Sequence, residues 1–299
     1  CGQSTMRWVR SSVPVSGSTT VCGIVGDPIE HSLSPAMQNA AFQSVGLNYV
    51  YVPFRLSRGS ARTCAEAMRA LGIRGLNVTV PHKVDMLAYL DSVESQAARI
   101  GAVNTIVNDS GRLCGYNTDA AGFALGIRER GIDVQDMEVV VLGAGGAARA
   151  VVFSLVDRGA RVTILNRDEL KAASLARDAS TSSGCSVSHG ALTQAMLESR
   201  LPGAALLVNT TSVGMSPQAD VTPCPHSLLR PGLAVCDIVY NPRETALLRQ
   251  AAACGAATVD GVEMLVRQGA MAFELWTGAS APVDVMRSVV VTELGHVAH

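Results

Sequence analysis

The run VVVLGAGGAAR at residues 139–149 constrains the fold more than any other part of the chain. A short β-branched segment leads into Gly-x-Gly-x-x-Ala, and an Ala-rich segment follows. In a strand–turn–helix unit, Gly143 permits the tight turn, Gly145 lets a phosphate approach the backbone, and Ala148 keeps the helix close to the strand. The N–H groups at the helix N-terminus then bind phosphate oxygens. Without the flanking strand and helix, these letters would indicate only a glycine-rich turn.

Because both flanking segments are present, we predict that this loop binds a dinucleotide. The loop residues assigned to cofactor binding are Gly143, Ala144, Gly145, Gly146, Ala147 and Ala148.

Short β-branched runs alternate with Ala-rich helical stretches along most of the chain. This alternation is typical of α/β proteins with parallel sheets. The 299 residues are enough for two domains, and residues 131–136 resemble an entry into the second. Residues 178–188, rich in small polar side chains, are predicted to form a surface loop. The predicted strands are 21–25, 49–54, 75–80, 104–107, 139–142, 161–166, 206–209, 233–238 and 257–259, and the predicted helices include 34–45, 60–71, 119–130 and 147–157.

Composition excludes several classes of function. Lys and Arg number 24 against 25 Asp and Glu, so the chain lacks the basic balance that nucleic-acid or acidic-membrane binding needs. No apolar run approaches the roughly 20 residues of a membrane span. The eight cysteines form no Cys-x-x-Cys pair and no zinc-ligand spacing with His, so we expect no metal site and a reducing, cytoplasmic location. The polar residues 1–20 lack the apolar segment of a secretory signal and are expected to form a flexible arm.

The end of the second strand of the nucleotide unit bears on cofactor choice. An NAD enzyme usually places Asp or Glu there to hold the ribose 2′-hydroxyl. Here the strand ends in Asn166-Arg167, with Lys171 one helical turn onward, and these cations suit a 2′-phosphate. NADP is therefore the predicted cofactor and NAD the alternative. Asp168 argues for NAD, and a surface ion pair between these cations and neighbouring acids is the structural alternative.

A polar loop, NTTSVGM, follows the predicted strand 206–209. It should lie at the carboxyl end of the same sheet, where open α/β folds bind ligands. Thr210 is the candidate cofactor contact in this loop.

The stretch GLNVTVPHK at residues 75–83 has an unusual polar face for a short apolar strand. Side chains alternate along a strand, so Asn77, Thr79 and Lys83 should project to one side while the chain stays extended. Val78 and Val80 should face the core. The polar side is therefore predicted to face a cleft.

Four further polar stretches read GDPIEHSLSP, GAVNT, GYNTD and MLVRQ. Each has a structural alternative: Ser34 could cap a helix that Pro35 begins, Thr118 or Asp119 could cap the next helix, and Asn104 could satisfy a turn. Gln268 could be a surface residue.

Together, the motifs resemble the shikimate dehydrogenase family, including its quinate/shikimate members. HSLSP, NVTVPHK, GAVNT, GYNTD, GAGGAAR, NTTSVGM and DGVEMLVRQ occur in the family's order from about Val21 to Gly278. The resemblance implies two α/β domains with the active site in the cleft between them. The substrate domain would comprise residues 21–118 and 261–299, and the Rossmann-like NADP domain residues 119–260.

The resemblance also implies the reaction and the residues that perform it. The reaction is the reversible, NADP-dependent reduction of 3-dehydroshikimate to shikimate. Lys83 would be the acid–base group, with Asp119 as its partner. The nicotinamide would lie near Ile238 and Gly261. The substrate would be held by Ser32, Ser34, Asn77, Thr79, Asn104, Tyr240 and Gln268.

One departure weakens the prediction of NADP: NADP members of the family usually read Asn-Arg-Thr where this chain reads Asn166-Arg167-Asp168. An NAD-using quinate/shikimate dehydrogenase therefore remains an alternative. A methylene-tetrahydrofolate dehydrogenase would need an aromatic pterin pocket, which five Phe, five Tyr and two Trp make difficult. A non-enzymatic metabolite sensor would be expected to lose Lys83 or Asp119, yet both are present. A homodimer is one expectation for the assembly.

Overall fold

The computed structural model describes residues 15–296. Within this range the chain forms two six-stranded sheets covered by helices. The strands are β1 Thr20–Gly26, β2 Tyr49–Arg55, β3 Gly75–Val78, β4 Ser92–Val93, β5 Thr105–Asp109, β6 Arg112–Tyr116, β7 Glu138–Leu142, β8 Arg161–Asn166, β9 Ser188–Ala191, β10 Leu206–Asn209, β11 Ala234–Asp237 and β12 Ala257–Val259. The helices are α1 Ser34–Ser44, α2 Ala61–Ala70, α3 Ser95–Ile100, α4 Asp119–Glu129, α5 Gly146–Val156, α6 Glu169–Ser183, α7 Gln194–Arg200, α8 Ala246–Ala253, α9 Val262–Thr277 and α10 Val283–His296.

The first sheet is mixed, with the strand order β2-β1-β3-β5-β6-β4. Strand β1 pairs in parallel with β2 and β3, whereas β5 runs antiparallel to both β3 and β6. The expectation of purely parallel sheets is therefore wrong here. Ser110 and Gly111, with φ of 53° and 93°, connect β5 directly to β6, and a two-residue turn can only join antiparallel strands.

The second sheet is parallel throughout, with the order β12-β11-β10-β7-β8-β9. The chain proceeds from β7 to β8 and β9 on one side, then returns to place β10 on the other side of β7. The strand order therefore reverses between β7 and β10. Such a reversal opens a crevice at the carboxyl ends of the two strands, where open α/β folds bind ligands.

The last two helices return to the first sheet. Helices α9 and α10 share one apolar core with β1, β2 and α1, and this core includes the fully buried Phe42, Phe273 and Trp276. Phe42 and Phe273 stack with ring centroids 5.2 Å apart. Helix α4 packs against both α9 and α5, so it lies between the two sheets.

Several boundaries differ from the sequence-based predictions. Strand β3 ends at Val78, where a turn from Thr79 to His82 begins, so Val80 is 60% exposed instead of facing the core. The predicted loop 178–188 is wrong over most of its length because α6 continues to Ser183 and β9 starts at Ser188. Strands β4, β6 and β9 were not predicted.

The predicted N-terminal arm is only partly described. Residues 1–14 lie outside the described range. Residues 16–19 form a hydrogen-bonded turn, in which Thr19 also donates to Asn48 at 2.8 Å, and this turn leads into β1. Between residues 15 and 296, none of the helices has the length and apolar character needed to cross a membrane.

Candidate functional site

The predicted substrate residues converge at one edge of the first sheet. Strands β1 and β3 are parallel neighbours, so the loops that follow them emerge side by side. A Cβ placed on Gly26, at the end of β1, would lie 2.4 Å from a methyl group of Thr79. The two loops are further joined by a 2.9 Å hydrogen bond from Asp27 N to Val80 O. The sheet therefore brings the HSLSP and NVTVPHK segments together.

Lys83 and Asp119 form the predicted pair. Lys83 Nζ lies 2.5 Å from Asp119 Oδ2, and the two side chains are only 12% and 7% exposed. Asp119 is the first residue of α4, where a carboxylate is favoured by the helix dipole. Screening by water is weak at this exposure, so the pair provides a localised positive and negative charge for proton transfer.

A buried polar network extends this pair. Asn104 Nδ2 donates to Asp119 Oδ1 at 2.8 Å and to Thr118 Oγ1 at 2.9 Å, and it lies 3.4 Å from Gln268 Oε1. Asn104 Oδ1 accepts from the Thr118 backbone at 2.8 Å, so the side chain also fixes the turn before α4. Gln268 is 9% exposed, which excludes the surface position considered for it. The structure thus brings Asn104, Gln268 and Asp119 together.

The helix-capping alternatives are not observed. Ser34 is the first residue of α1, Leu33 occupies the cap position, and no side chain caps this helix. Thr118 makes no capping hydrogen bond either; Asn117 Oδ1 accepts from Ala120 N at 3.3 Å. The Thr118 hydroxyl instead joins the polar network, 2.9 Å from Asn104 Nδ2.

Ser32 lies beside Tyr240, which follows β11 in the second sheet. Burial raises the pKa of the Tyr240 hydroxyl, while the nearby Leu33 backbone and Ser32 side chain oppose this rise. Ser32 Oγ also accepts from Ser34 N at 3.3 Å. Hydroxyl groups from opposite sides of the cleft therefore meet at the HSLSP loop.

Asn77 is buried and held by a residue that the sequence analysis missed. The Tyr51 hydroxyl donates to Asn77 Oδ1 at 2.7 Å. Tyr51 lies in a run of alternating Tyr and Val that looks like ordinary strand sequence, so nothing in the sequence distinguished it from a core aromatic.

The glycine-rich loop has the conformation that its sequence predicted. Gly143 has φ of 111°, a left-handed conformation that glycine tolerates, and a Cβ there would lie 2.6 Å from Thr210 Oγ1. Thr210 in turn donates to Leu142 O at 2.6 Å. The loop after β10 therefore lies against the loop after β7, at the point where the strand order reverses.

The residues predicted near the nicotinamide also meet. A Cβ on Gly261 would lie 2.4 Å from Ile238 O, so the chain before α9 contacts the end of β11. Asp237, which the sequence analysis did not select, holds this region together. Its fully buried carboxylate accepts from Asn209, Val239 N and Thr245, and burial raises its pKa to about 6.

The end of β8 carries the residues predicted to select the cofactor. Asp168 caps α6 by accepting from Lys171 N, and its carboxylate lies 3.7 Å from Lys171 Nζ. Lys171 therefore makes the surface ion pair considered above, but it stays solvent-exposed and can still reach a ligand. Arg167 is exposed and makes no ion pair within residues 15–296. Asn166 donates to Asp168 O at 2.9 Å, which fixes the turn that presents Arg167.

Comparison with known proteins agrees with this geometry. Residues 24–106 match the shikimate dehydrogenase substrate binding domain, residues 126–207 match shikimate / quinate 5-dehydrogenase, and residues 261–291 match the shikimate 5′-dehydrogenase C-terminal domain. A curated relative from Desulforamulus reducens, named shikimate dehydrogenase (NADP(+)), is 46% identical over 279 residues, covering 92% of this chain and 96% of the relative.

The chain belongs to the shikimate dehydrogenase family. It is an oxidoreductase with the family's two-part α/β architecture, and both predictions are confirmed. A solved shikimate dehydrogenase in complex with NADP+ superposes with a TM-score of 0.88 at 39% identity, covering 94% of this chain and 98% of that one. A quinate dehydrogenase from Corynebacterium glutamicum in complex with NAD gives 0.83 at 34% identity, covering 92% and 99%.

Proposed function

We propose that this chain is an NADP-dependent shikimate dehydrogenase that interconverts 3-dehydroshikimate and shikimate. The observation that carries the proposal is the contact between the acid–base pair and the nucleotide loop. A Cβ on Gly146 would lie 2.9 Å from Cβ of Lys83, so the amine that handles the proton lies beside the loop that would hold the cofactor. The relatives named as NADP(+) enzymes support the same assignment.

The nucleotide loop fits a dinucleotide. A Cβ on Gly145 would meet no atom within 4 Å, so open space lies above the N-terminus of α5. Pyrophosphate would be held there by Gly143, Ala144, Gly145, Gly146, Ala147 and Ala148. Asn166, Arg167 and Lys171 would hold the adenosine end with its 2′-phosphate, and Thr210, Ile238 and Gly261 would line the nicotinamide end. When bound, the nicotinamide supplies or accepts the hydride.

Lys83 and Asp119 manage the proton. In the reducing direction, the Lys83 ammonium donates a proton to the oxygen that gains negative charge, and its own charge stabilises that oxygen beforehand. Asp119 holds Nζ in place, and Asn104 fixes Asp119 by donating to its second oxygen. In the oxidising direction, neutral Lys83 removes the hydroxyl proton.

The remaining polar groups would orient the substrate. The hydroxyls of Ser32, Ser34 and Tyr240 would hold the carboxylate as neutral donors. Thr79, Asn77, Asn104 and Gln268 would contact the ring hydroxyls. Uncharged donors bind less tightly than an arginine fork would, and this suits a substrate that must leave after each turnover.

The test is an assay of shikimate and quinate, each with NADP+ and with NAD+. The proposal expects the highest kcat/KM for shikimate with NADP+. A higher value for quinate with NAD+ would instead support the NAD-using quinate/shikimate dehydrogenase, for which the exposed Asp168 is the favourable feature.

We further propose that residues 21–118 and 261–299 form the substrate domain and residues 119–260 the cofactor domain; residues 297–299 lie outside the described range. The shared core of α9 and α10 with the first sheet supports this division, and helix α4 supplies the junction. A cytoplasmic location is supported by the free thiol state of every described cysteine. Homodimerisation stays a prediction that size-exclusion chromatography with light scattering tests.

A further inference from the structure

Tyr51 lies below the proposed substrate site and has no role in the reaction described above. It occupies the middle of β2, and its side chain is 1% exposed. Its hydroxyl donates to Asn77 Oδ1 at 2.7 Å, and the Ser34 side chain and Tyr240 lie near it. One hydroxyl therefore contacts one residue proposed to bind substrate and lies near two others.

The hydrogen bonds of Asn77 determine what its amide can offer. Nδ2 donates to Asn104 O and to Thr105 Oγ1, both at 3.1 Å, so both amide hydrogens are used within the protein. Oδ1 accepts from Tyr51 and keeps one further lone pair, because an amide oxygen has two. In this orientation Asn77 can accept a hydrogen bond from a ligand hydroxyl but cannot donate one to a carboxylate.

Tyr51 is itself fixed from three sides. Its backbone N–H donates to Asn39 Oδ1 at 2.8 Å, and Asn39 Nδ2 donates to its carbonyl at 2.9 Å. Its ring packs against Trp276 with centroids 5.8 Å apart. Asn39 belongs to α1, the helix that begins with Ser34, so the same residue also secures that helix against the edge strand β2.

We propose that Tyr51 is a positioning residue that holds the Asn77 amide with Oδ1 available as an acceptor for a substrate hydroxyl. Rotation of the amide by 180° would place Oδ1 against the Asn104 carbonyl, where two acceptors repel. The Tyr51 donor adds to this preference, because its O–H points at Asn77 Oδ1. This role rests on the proposed function of the site.

The test is Tyr51→Phe, which keeps the ring and removes only the hydroxyl. Because a buried hydrogen bond is lost, we expect KM for shikimate to rise roughly 5- to 30-fold. The variant should keep kcat within about 3-fold of wild type, and its KM for NADP+ should not change. Tyr49→Phe is the matched control. Tyr49 lies two residues earlier on the same strand, its ring packs against Phe42 at 5.0 Å, and its hydroxyl makes no hydrogen bond within residues 15–296.

A double-mutant cycle separates positioning from general support. In an Asn77→Ala background, Tyr51→Phe should raise KM by less than about 2-fold, because the group it positions is gone. The proposal is overturned by an unchanged KM in Tyr51→Phe, by the full rise persisting without Asn77, or by parallel losses of kcat, NADP+ affinity and Tm. The assay of wild type with shikimate and quinate, each with NADP+ and with NAD+, tests the proposed function independently of the Tyr51 variants. If quinate proves to be the better substrate, the same ratios are measured with quinate.

Discussion

At the scale of single residues, Gly146 joins the proposed acid–base group to the proposed cofactor loop. The Gly-x-Gly-x-x-Ala pattern requires Gly143, Gly145 and Ala148 but leaves the position of Gly146 free. The structure supplies a reason for glycine there, since the aliphatic part of Lys83 lies against it. A residue of the glycine-rich loop therefore limits where the Lys83 side chain, the proposed acid–base group, can lie.

Lys83→Ala tests the proton-transfer role directly. We expect kcat to fall by roughly two to four orders of magnitude, the usual contribution of an acid–base group, with a much smaller change in substrate KM. Steady-state kinetics with shikimate and NADP+ measure this. Arg62→Ala serves as the control, because it removes a cation whose side chain is 75% exposed on α2. It should leave kcat and KM unchanged. Retention of a tenth or more of wild-type kcat would rule out the assignment.

Gly146→Ala tests the contact between the loop and Lys83. The added Cβ would lie 2.9 Å from Cβ and 3.0 Å from Cδ of Lys83, so the lysine must shift away from its position beside Asp119. A small misplacement of a catalytic group can cost about 100-fold in rate, and we expect kcat to fall roughly 10- to 100-fold. KM for NADP+ should change less than kcat.

Gly126→Ala controls for the general effect of replacing a helical glycine. Its Cβ would meet its nearest neighbour at an ordinary 3.8 Å, so activity should be unchanged. A Gly146→Ala enzyme with wild-type kcat would show that Lys83 moves without consequence.

Arg167→Ala tests the choice of cofactor. The exposed guanidinium can form charge-assisted hydrogen bonds with a 2′-phosphate, whereas it binds a neutral 2′-hydroxyl only weakly. A charge-assisted contact of about 1.5–3 kcal/mol corresponds to roughly 10- to 150-fold, so most of the NADP+ preference in kcat/KM should disappear while NAD+ kinetics stay similar. Arg177→Ala, at another exposed position on α6, is the control.

Asp168→Thr complements this variant. Threonine can also cap α6, so the change removes the charge without removing the cap, and the NADP+ preference should increase. If the ratio of kcat/KM with NADP+ to kcat/KM with NAD+ is the same in wild type and Arg167→Ala, Arg167 is only a surface charge.

At the scale of secondary-structure elements, a charge network joins α4, α9 and α10. Glu263 on α9 contacts Arg287 on α10 at 2.8 Å and Arg267 on its own helix at 2.7 Å. Arg267 also pairs with Glu129, the last residue of α4, and Arg287 pairs with Asp284. The helix that begins with Asp119 is therefore tied at its far end to the two helices that complete the first sheet's core.

Glu263→Gln tests this network. Hydrogen bonding from Arg287 lowers the pKa of Glu263, so its stabilising contribution is present above the carboxyl's ordinary pKa of 4.5 and is lost as pH falls through the lower folded value. A contribution of about 1 kcal/mol would lower Tm by roughly 2–4 °C at neutral pH. The gap from wild type should narrow below pH 4.5.

Glu66→Gln provides the comparison, because its partner Arg62 and Glu66 itself are 75% and 61% exposed on α2. Thermal melts across pH should show little effect for this variant. If Glu263→Gln lowers Tm no more than Glu66→Gln does at every pH, the α4–α9–α10 network adds no stability.

At the scale of the whole molecule, the proposed site lies between the carboxyl ends of β1 and β3 in the first sheet and those of β7 and β10 in the second. The loops after β1 and β3 carry Ser32, Thr79 and Lys83, and the loops after β7 and β10 carry the glycine-rich turn and Thr210. Direct contacts join the two halves: Arg149 on α5 donates to Ile100 O, and Arg99 on α3 pairs with Asp157 at 2.8 Å. In the proposed function, one sheet binds the substrate and the other binds the cofactor, and these contacts hold the two together at one site.

The sequence by itself determined the elements with strong local signals. Gly143, Gly145 and Ala148 required a specific turn. All nine predicted strands begin within one residue of the observed ones, because the ends of a β-branched run are visible in the local sequence. The short strands β4 and β9 escaped prediction because two to four residues carry too little periodicity, and the antiparallel placement of β5 depended on a two-residue turn.

Tertiary structure decided the contacts between segments distant in the chain. Gln268 reached Asn104 only because α9 returns to the first sheet, and the importance of Tyr51 became visible only when β2 was placed two strands from β3. Gly146 and Lys83 are separated by more than sixty residues, and no local pattern relates them. A sequence specifies such contacts through the packing of the entire core, which no short segment contains, so the residue types of the site were predictable and their partners were not.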